Sequence, residues 1–456
     1  MLERKFAQYL KTFLKENSDK ILLVNGARQI GKSYIIRYVG KSLFKHFVEI
    51  NLKEDKEGER VFADVHSTID LYMRLSNYYT KPLGDKSDTL VFLDEIQSYP
   101  HILTMLKFLN QEARYRFIAS GSQLGVALSQ TPSVPLGSIT VAQMYPLDFE
   151  EFLWATGVGK DWVDGLRSRF EREDALDENT HNVLMKRFKY YLLVGGMPEA
   201  INNYLKDRNM ARVRQTHKDI HDLYRIDASQ YDQEHRLIIR KIFDLIPSNL
   251  ENKKKRIVYK DIEGVKGKKF SDYANEFEYL TNSGVALDVS AISNPRFPLV
   301  ESEQKRLVKL YLNDVGLLTG ILYGLNVNAV LQDIKSINLG TVYESVVAQE
   351  LAAHGFKLHY YDNKQRGEVD FLIDDYNALS VLPLEIKSGK DYTEHSALSK
   401  FVATPEYGIG RAIVFSNERS VYKKKGVTYM PVYYCMFLQN HSGGDSIILP
   451  ELDALQ

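Results

Sequence analysis

The chain has 456 residues, a length for about three domains, with 44% hydrophobic and 26% charged residues, the balance of an ordinary globular protein. Lys+Arg and Asp+Glu both number 59, which excludes a whole-molecule basic field for gripping nucleic acid and leaves only local basic surface. A single cysteine, Cys435, excludes an internal disulfide and a cysteine zinc cluster and suits a reducing compartment.

Residues 1–16 carry Leu2, Phe6, Tyr9, Leu10 and Phe13 at helical spacing, without the apolar core of a signal peptide. No run approaches the ~18 apolar residues that span a bilayer, so a cytoplasmic, membrane-free protein is expected. Residues 20–25, with ILLV at the centre, read as a buried strand; a Gly-containing loop and a helix follow. Strands are expected at 46–51, 89–93 and 116–119, and a helix at 100–112. Strands alternating with helices predict a parallel sheet covered on both faces.

Residues 155–230 read as helical, with a break at Gly195-Gly196 and Pro198. Helices at 236–246 and 271–282 precede strands at 285–290 and 305–313, an order that resembles a winged helix. A helix at 339–354 then leads into strands at 357–361, 369–373, 382–387 and 412–415, a second α/β unit. Cys435 lies in the apolar run 432–438 and is expected in the core.

The loop after the first strand is Gly26-Ala27-Arg28-Gln29-Ile30-Gly31-Lys32-Ser33, which fits G-x-x-x-x-G-K-[ST] in full. Its glycines let backbone N–H groups turn inward onto phosphate oxygens, and the following helix aims its positive end at the same anion. All eight residues are therefore expected to bind ATP, with Lys32 on the β- and γ-phosphates and Ser33 on Mg²⁺. The strand at 89–93 delivers Asp94, a second Mg²⁺ partner, and Glu95, which would polarise the attacking water. Ser122 follows the fourth strand, either as a polar sensor of the γ-phosphate acting with Lys32 and Glu95, or as a helix N-cap.

With these residues quoted, together with L-D-E-I-Q, S-G-S, the run Y-P-L-D-F-E-E-F-L at 145–153, G-G-M-P-E at 195–199 and L-N-D-V-G-L-L at 312–318, the chain resembles the AAA-like P-loop ATPases that carry a C-terminal DUF4143 domain. The resemblance implies an α/β protein of four parts: an ATPase core at 1–154, a helical lid at 155–232, a winged-helix segment at 233–332 and a restriction-endonuclease-like domain at 333–456. In the segment Val134-Pro135-Leu136-Gly137-Ser138, Ser138 stands where relatives often place a basic residue. Arg28, Arg114 and Arg116 are all candidates for an arginine finger, with nothing to choose between them.

The C-terminal unit holds Gly367-Glu368-Val369-Asp370 and, after a turn, Leu384-Glu385-Ile386-Lys387. Glu385 and Lys387, two apart, share one face of a strand. Two carboxylates and a lysine resemble the PD-(D/E)xK nuclease arrangement, with Asp370 and Glu385 on a metal, Lys387 activating water and Glu344 on the preceding helix as an additional acid. The same residues also read as solvated strand positions, or as a fold that has lost catalysis. From 250 to 270, Lys/Arg at 253, 254, 255, 256, 260, 266, 268 and 269 face acids at 251, 261 and 263, either a phosphate-backbone contact or a solvated loop.

The function expected is Mg²⁺-dependent ATP hydrolysis coupled to a nuclease-like domain, with DNA as a candidate partner. The alternatives are an ATP-gated switch or scaffold that binds a protein partner, its nuclease-like domain inactive, and an ATP-independent nuclease under a nucleotide-binding regulator; a homo-oligomer is a further candidate partner.

Overall fold

Five short strands build the first sheet: β1 (Ile21–Asn25), β2 (His46–Asn51), β3 (Thr89–Asp94), β4 (Arg116–Gly121) and β5 (Ile139–Gln143). All neighbours are parallel, in the order β2-β3-β4-β1-β5. In the computed structural model, which describes residues 2–16, 19–79, 82–130, 137–228, 235–252, 254–334, 337–389 and 391–440, β1 and β3 are buried along their whole length. That is the requirement for strands covered on both faces, and it explains their uninterrupted apolar runs. The sequence reading contains no β5, because this edge strand leaves Val141 exposed and lacks such a run.

The helix Lys32–Leu43 turns Ile35, Ile36 and Val39 onto the sheet, the spacing of an amphipathic helix. Helices Thr68–Tyr78 and Pro100–Glu112 follow β2 and β3. The expected lid consists of helices Lys160–Glu171, Glu178–Val194, Pro198–Asp207 and Met210–Ala228. Helix Val315–Tyr323 packs against two of these, and Thr319 Oγ1 donates to the Leu192 carbonyl at 2.8 Å.

The second sheet has eight strands: β6 (Ala286–Ile292), β7 (Glu303–Leu312), β8 (His359–Asn363), β9 (Gly367–Asp375), β10 (Ser380–Lys387), β11 (Ala412–Ser416), β12 (Tyr422–Lys424) and β13 (Val427–Pro431). Its order is β12-β13-β11-β10-β9-β8-β6-β7, with parallel and antiparallel pairs mixed. The hairpin β6–β7 does not stand free as the wing of a winged helix: β6 pairs in parallel with β8 from Ser290–His359 to Ile292–Tyr361. Its unpaired edge groups are satisfied by the C-terminal strands, so segment 233–332 and the C-terminal unit share one sheet.

One continuous apolar cluster runs from Leu22 and Ile36 in the first sheet, through Tyr191 and Leu192, to Val346 and Cys435. Cys435 is fully buried, as expected. Among the described residues, no helix is long and apolar enough to cross a membrane.

Candidate functional site: a phosphate loop at the carboxyl edge of a parallel sheet

Chemistry on an open parallel sheet gathers at the carboxyl ends of the strands. β1 ends at Asn25 and runs straight into the loop; β3 ends at Asp94, and β4 ends at Gly121 beside it. Gly26 has φ of 150°, and a Cβ there would stand 2.4 Å from the Met144 carbonyl oxygen, so only glycine lets the loop leave the strand this closely. Gln29 and Gly31 also take positive φ, which turns the loop back to start the helix at Lys32.

Lys32 is buried, and its Nζ donates to the carbonyls of Gly26 and Ala27, at 2.8 Å each. Burial lowers its ammonium to about 8, against the pull of Glu95 and Asp94. Ser33 Oγ donates to Asp94 Oδ2 at 2.7 Å, and Ser120 Oγ donates to Asp94 Oδ1. Glu95 sits next to Asp94 with φ of 54°; Gln97 donates to its carboxylate and Ser122 Oγ reaches it at 3.4 Å. Lys32, Ser33, Asp94, Glu95 and Ser122 are thus brought together, as the sequence predicts. Ser33 and Asp94 present hard oxygens to one point and fit Mg²⁺.

A cavity of about 670 Å³ opens over this loop, a volume within the range of small-molecule sites. Pro198, Glu199 and Asn202 of helix Pro198–Asp207 also line it, with Tyr34 and Leu147. Two of its features are absent from the sequence reading. Arg4 is buried, and its guanidinium donates to Glu151 at 3.0 Å, the Ile30 carbonyl at 3.0 Å and the Tyr145 carbonyl at 2.6 Å, tying the N-terminus to the phosphate loop. Arg28 forms an ion pair with Asp227 of helix Met210–Ala228, while Tyr224 of that helix donates to the Arg28 carbonyl at 2.9 Å. The signal for Arg4 was slight: a cation at the head of an amphipathic helix. Asp227 carried none.

Of the three arginine candidates, only Arg28 lines the cavity. Arg116 opens β4, at the edge opposite the loop, and Arg114 lies over the rings of Tyr72 and Tyr115. Ser138 precedes β5 at that same far edge, where its carbonyl accepts from Ile21 at 2.9 Å, so position 138 does not face the phosphates; residues 134–136 lie outside the described residues.

A family profile described as an AAA domain matches residues 18–153, and one described as a domain of unknown function (DUF4143) matches residues 339–435. The chain carries an AAA domain and a DUF4143 domain. The AAA domain supports nucleotide binding and hydrolysis in general. A third profile, another domain of unknown function (DUF8612), covers 185–328 and runs across the expected boundary at 232 and 233. No curated protein matches the chain. Among solved structures, the chain is similar to the Walker-type ATPase of Pyrococcus abyssi, at 16% identity and a TM-score of 0.45 over 71% of this chain and 96% of that one. It is also similar to Cdc6p of Pyrobaculum aerophilum, at 13% identity and a TM-score of 0.28 over 73% and 95%. A third similarity is to the RuvB Holliday junction branch migration motor of Thermotoga maritima, at 12% identity and a TM-score of 0.29 over 65% and 90%.

In the DUF4143 domain, β9 and β10 are antiparallel neighbours, and the Ile386 N–H donates to Asp370 at 2.8 Å. Lys387 Nζ pairs with Glu385 at 2.8 Å, so the two do share a strand face. Burial raises the Asp370 carboxyl well above its usual range, and Glu344 and Glu385 raise it further. Burial likewise raises Glu385, against Lys387. Glu344, Asp370, Glu385 and Lys387 are therefore gathered in one place. Lys255 pairs with Glu344, and the fully buried Lys309 pairs with Glu368. Among the described residues, no group of three or more His, Cys, Asp or Glu side chains is arranged to hold a metal ion.

The same pairs reduce the basic stretch. Lys255 turns inward and Arg256 and Lys254 face Asp362, leaving Lys260, Lys266 and Lys269 exposed; Lys253 lies outside the described residues.

Proposed function

We propose that the chain is a Mg²⁺-dependent ATPase that uses the nucleotide state to shift the lid against the DUF4143 domain. The observation that carries this reading is the contact of Ser33 Oγ with Asp94 Oδ2, 2.7 Å long, beside a lysine in a full phosphate loop. In this reading Gly26 to Ser33 bind the phosphates, and Lys32 leaves the carbonyls of Gly26 and Ala27 to neutralise the β- and γ-phosphates. Ser33 and Asp94 would hold Mg²⁺, which shields the phosphate charge. Glu95 orients the attacking water and accepts its proton, and Ser122, against Glu95 and Arg28, senses the γ-phosphate. Pro198 and Glu199 close the cavity from the lid side, so nucleotide occupancy is felt by helices that pack on Val315–Tyr323, which in turn touches β7 of the second sheet.

The DUF4143 domain acts in this proposal as a relay or a surface for a protein partner rather than as a nuclease, a reading supported by the lysines that pair with Glu344, Glu368 and Glu385. The test is hydrolysis of ATP with and without Mg²⁺ in wild type, Lys32→Ala and Glu95→Gln, alongside a DNA-nicking assay that includes Glu385→Ala. Wild type that neither binds nor hydrolyses ATP sinks the ATPase reading. Nicking that disappears in Glu385→Ala restores the nuclease reading and brings DNA back as substrate.

A further inference from the structure

A second cavity, of about 470 Å³, lies between helices Met210–Ala228 and Val315–Tyr323 and shares no lining residue with the nucleotide cavity. Leu317, Ile321 and Leu325 make one wall. Arg214, Lys218 and His221 stand on the other, and no carboxylate lines it.

Arg214 is 8% exposed, and among the described residues no carboxylate comes within ion-pair distance of it, although Asp314 acts on it from farther away. Its Nε donates to the Gly324 carbonyl at 2.8 Å; Nη1 donates to the carbonyls of Leu193 at 3.0 Å and Gly316 at 3.2 Å and to Thr319 Oγ1 at 3.1 Å. Nη2 has no partner. Carbonyl dipoles offset part of the desolvation of a buried guanidinium, and Asp314 acts on it as a counter-charge without a direct pair. A second cation, Lys218, sits exposed on the same helix. Ile321 and Leu325, 43% and 67% exposed, give the opposite side of the cavity an apolar surface.

We propose that this cavity binds a small organic oxyanion, a carboxylate or phosphate ester, whose charged end balances Arg214 and Lys218 while its apolar body rests on Leu317 and Ile321. Charge and apolar area then act on one ligand, which is the usual composition of a small-molecule site: mostly apolar lining with a few polar groups that fix orientation.

The test uses the full chain with the nucleotide site filled by saturating ADP, so that the phosphate loop does not take up the probes. Phenyl phosphate, benzoate and inorganic phosphate are titrated by calorimetry into wild type, Lys218→Glu and Ile321→Glu, both changes at exposed positions. Binding of phenyl phosphate or benzoate at one site per chain is expected, weakened roughly tenfold or more in each variant, with ADP affinity unchanged. The tighter of the two probes tells phosphate ester from carboxylate. The proposal is overturned if neither organic probe binds at millimolar concentration, if both variants bind as wild type does, or if inorganic phosphate binds as tightly as the organic probes.

Discussion

Asp227 holds Arg28 of the phosphate loop in an ion pair, and both side chains are largely buried. A cation of the nucleotide cavity is thus neutralised by a carboxylate on helix Met210–Ala228. Burial raises the Asp227 carboxyl and Arg28 draws it back. Replacing Asp227 by Asn frees the Arg28 charge for the phosphates. ATP affinity measured by calorimetry is expected to rise roughly fivefold, the scale of one charge-assisted contact. Weaker binding in Asp227→Asn would mean that the pair positions the loop instead of restraining it.

Lys32, lowered to about 8 by burial, predicts how nucleotide binding follows pH. Below pH 8 the lysine already carries the charge that phosphates favour. Above it, binding must first take up a proton, so ADP affinity falls about tenfold per pH unit. Calorimetry from pH 6 to 9.5 should show a flat region and then this decline, with proton uptake above 8. Lys32→Ala should bind weakly at every pH.

Asp314 is fully buried, and burial raises its carboxyl to about 6, against the N–H groups of Gly196 and Leu317, which donate to it at 2.5 and 3.0 Å. A folded pKa above the unfolded one means the folded chain binds more protons between them. Stability is therefore lost as pH rises from about 4 to about 6, by roughly 3 kcal/mol when the shift is complete. Urea unfolding at pH 4, 5, 6 and 7 should show a smaller decline in Asp314→Asn than in wild type. Identical pH profiles would contradict the shift.

Glu344 is 4% exposed, and Lys255 is the ammonium paired with it. Removing Lys255 leaves a buried carboxylate without its cation, a loss of about 3 kcal/mol. Lys255→Ala is expected to melt clearly earlier than wild type, and Lys255→Ala with Glu344→Gln to recover part of the difference. No change in melting temperature would return Lys255 to the status of a surface lysine.

Gly284 has φ of 74°, and a Cβ there would stand 3.0 Å from the backbone nitrogen of Ala27 in the phosphate loop. Gly284→Ala both strains its own backbone and presses on a nitrogen of the cradle. It should cost about 1 kcal/mol or more and weaken ADP binding. Unchanged ADP affinity would show that the loop yields without penalty.

Much of the nucleotide site was legible because its chemistry is local. Glycines, a lysine and a serine lie within one turn between a strand and a helix, and Asp94-Glu95 end an apolar run that only a buried strand explains. Glu385 and Lys387 were legible for the same reason, since alternation along a strand puts them on one face. Strand β5 was not, because an edge strand needs no continuous apolar pattern.

The amino-acid sequence by itself therefore determined an α/β chain with a phosphate loop, its acids and a buried Cys435. Tertiary structure alone decided which charges meet: Arg28 with Asp227 across 199 residues, Lys255 with Glu344 across 89, and the hairpin β6–β7 with β8 in one sheet. Periodicity and turn chemistry act over one or two turns of chain. Ion pairing and strand neighbourhood depend on how whole elements stack, and no local pattern carries that. The C-terminal carboxylates show the same difference: their spacing suggested a shared site, and only the fold revealed that Lys255 pairs with Glu344.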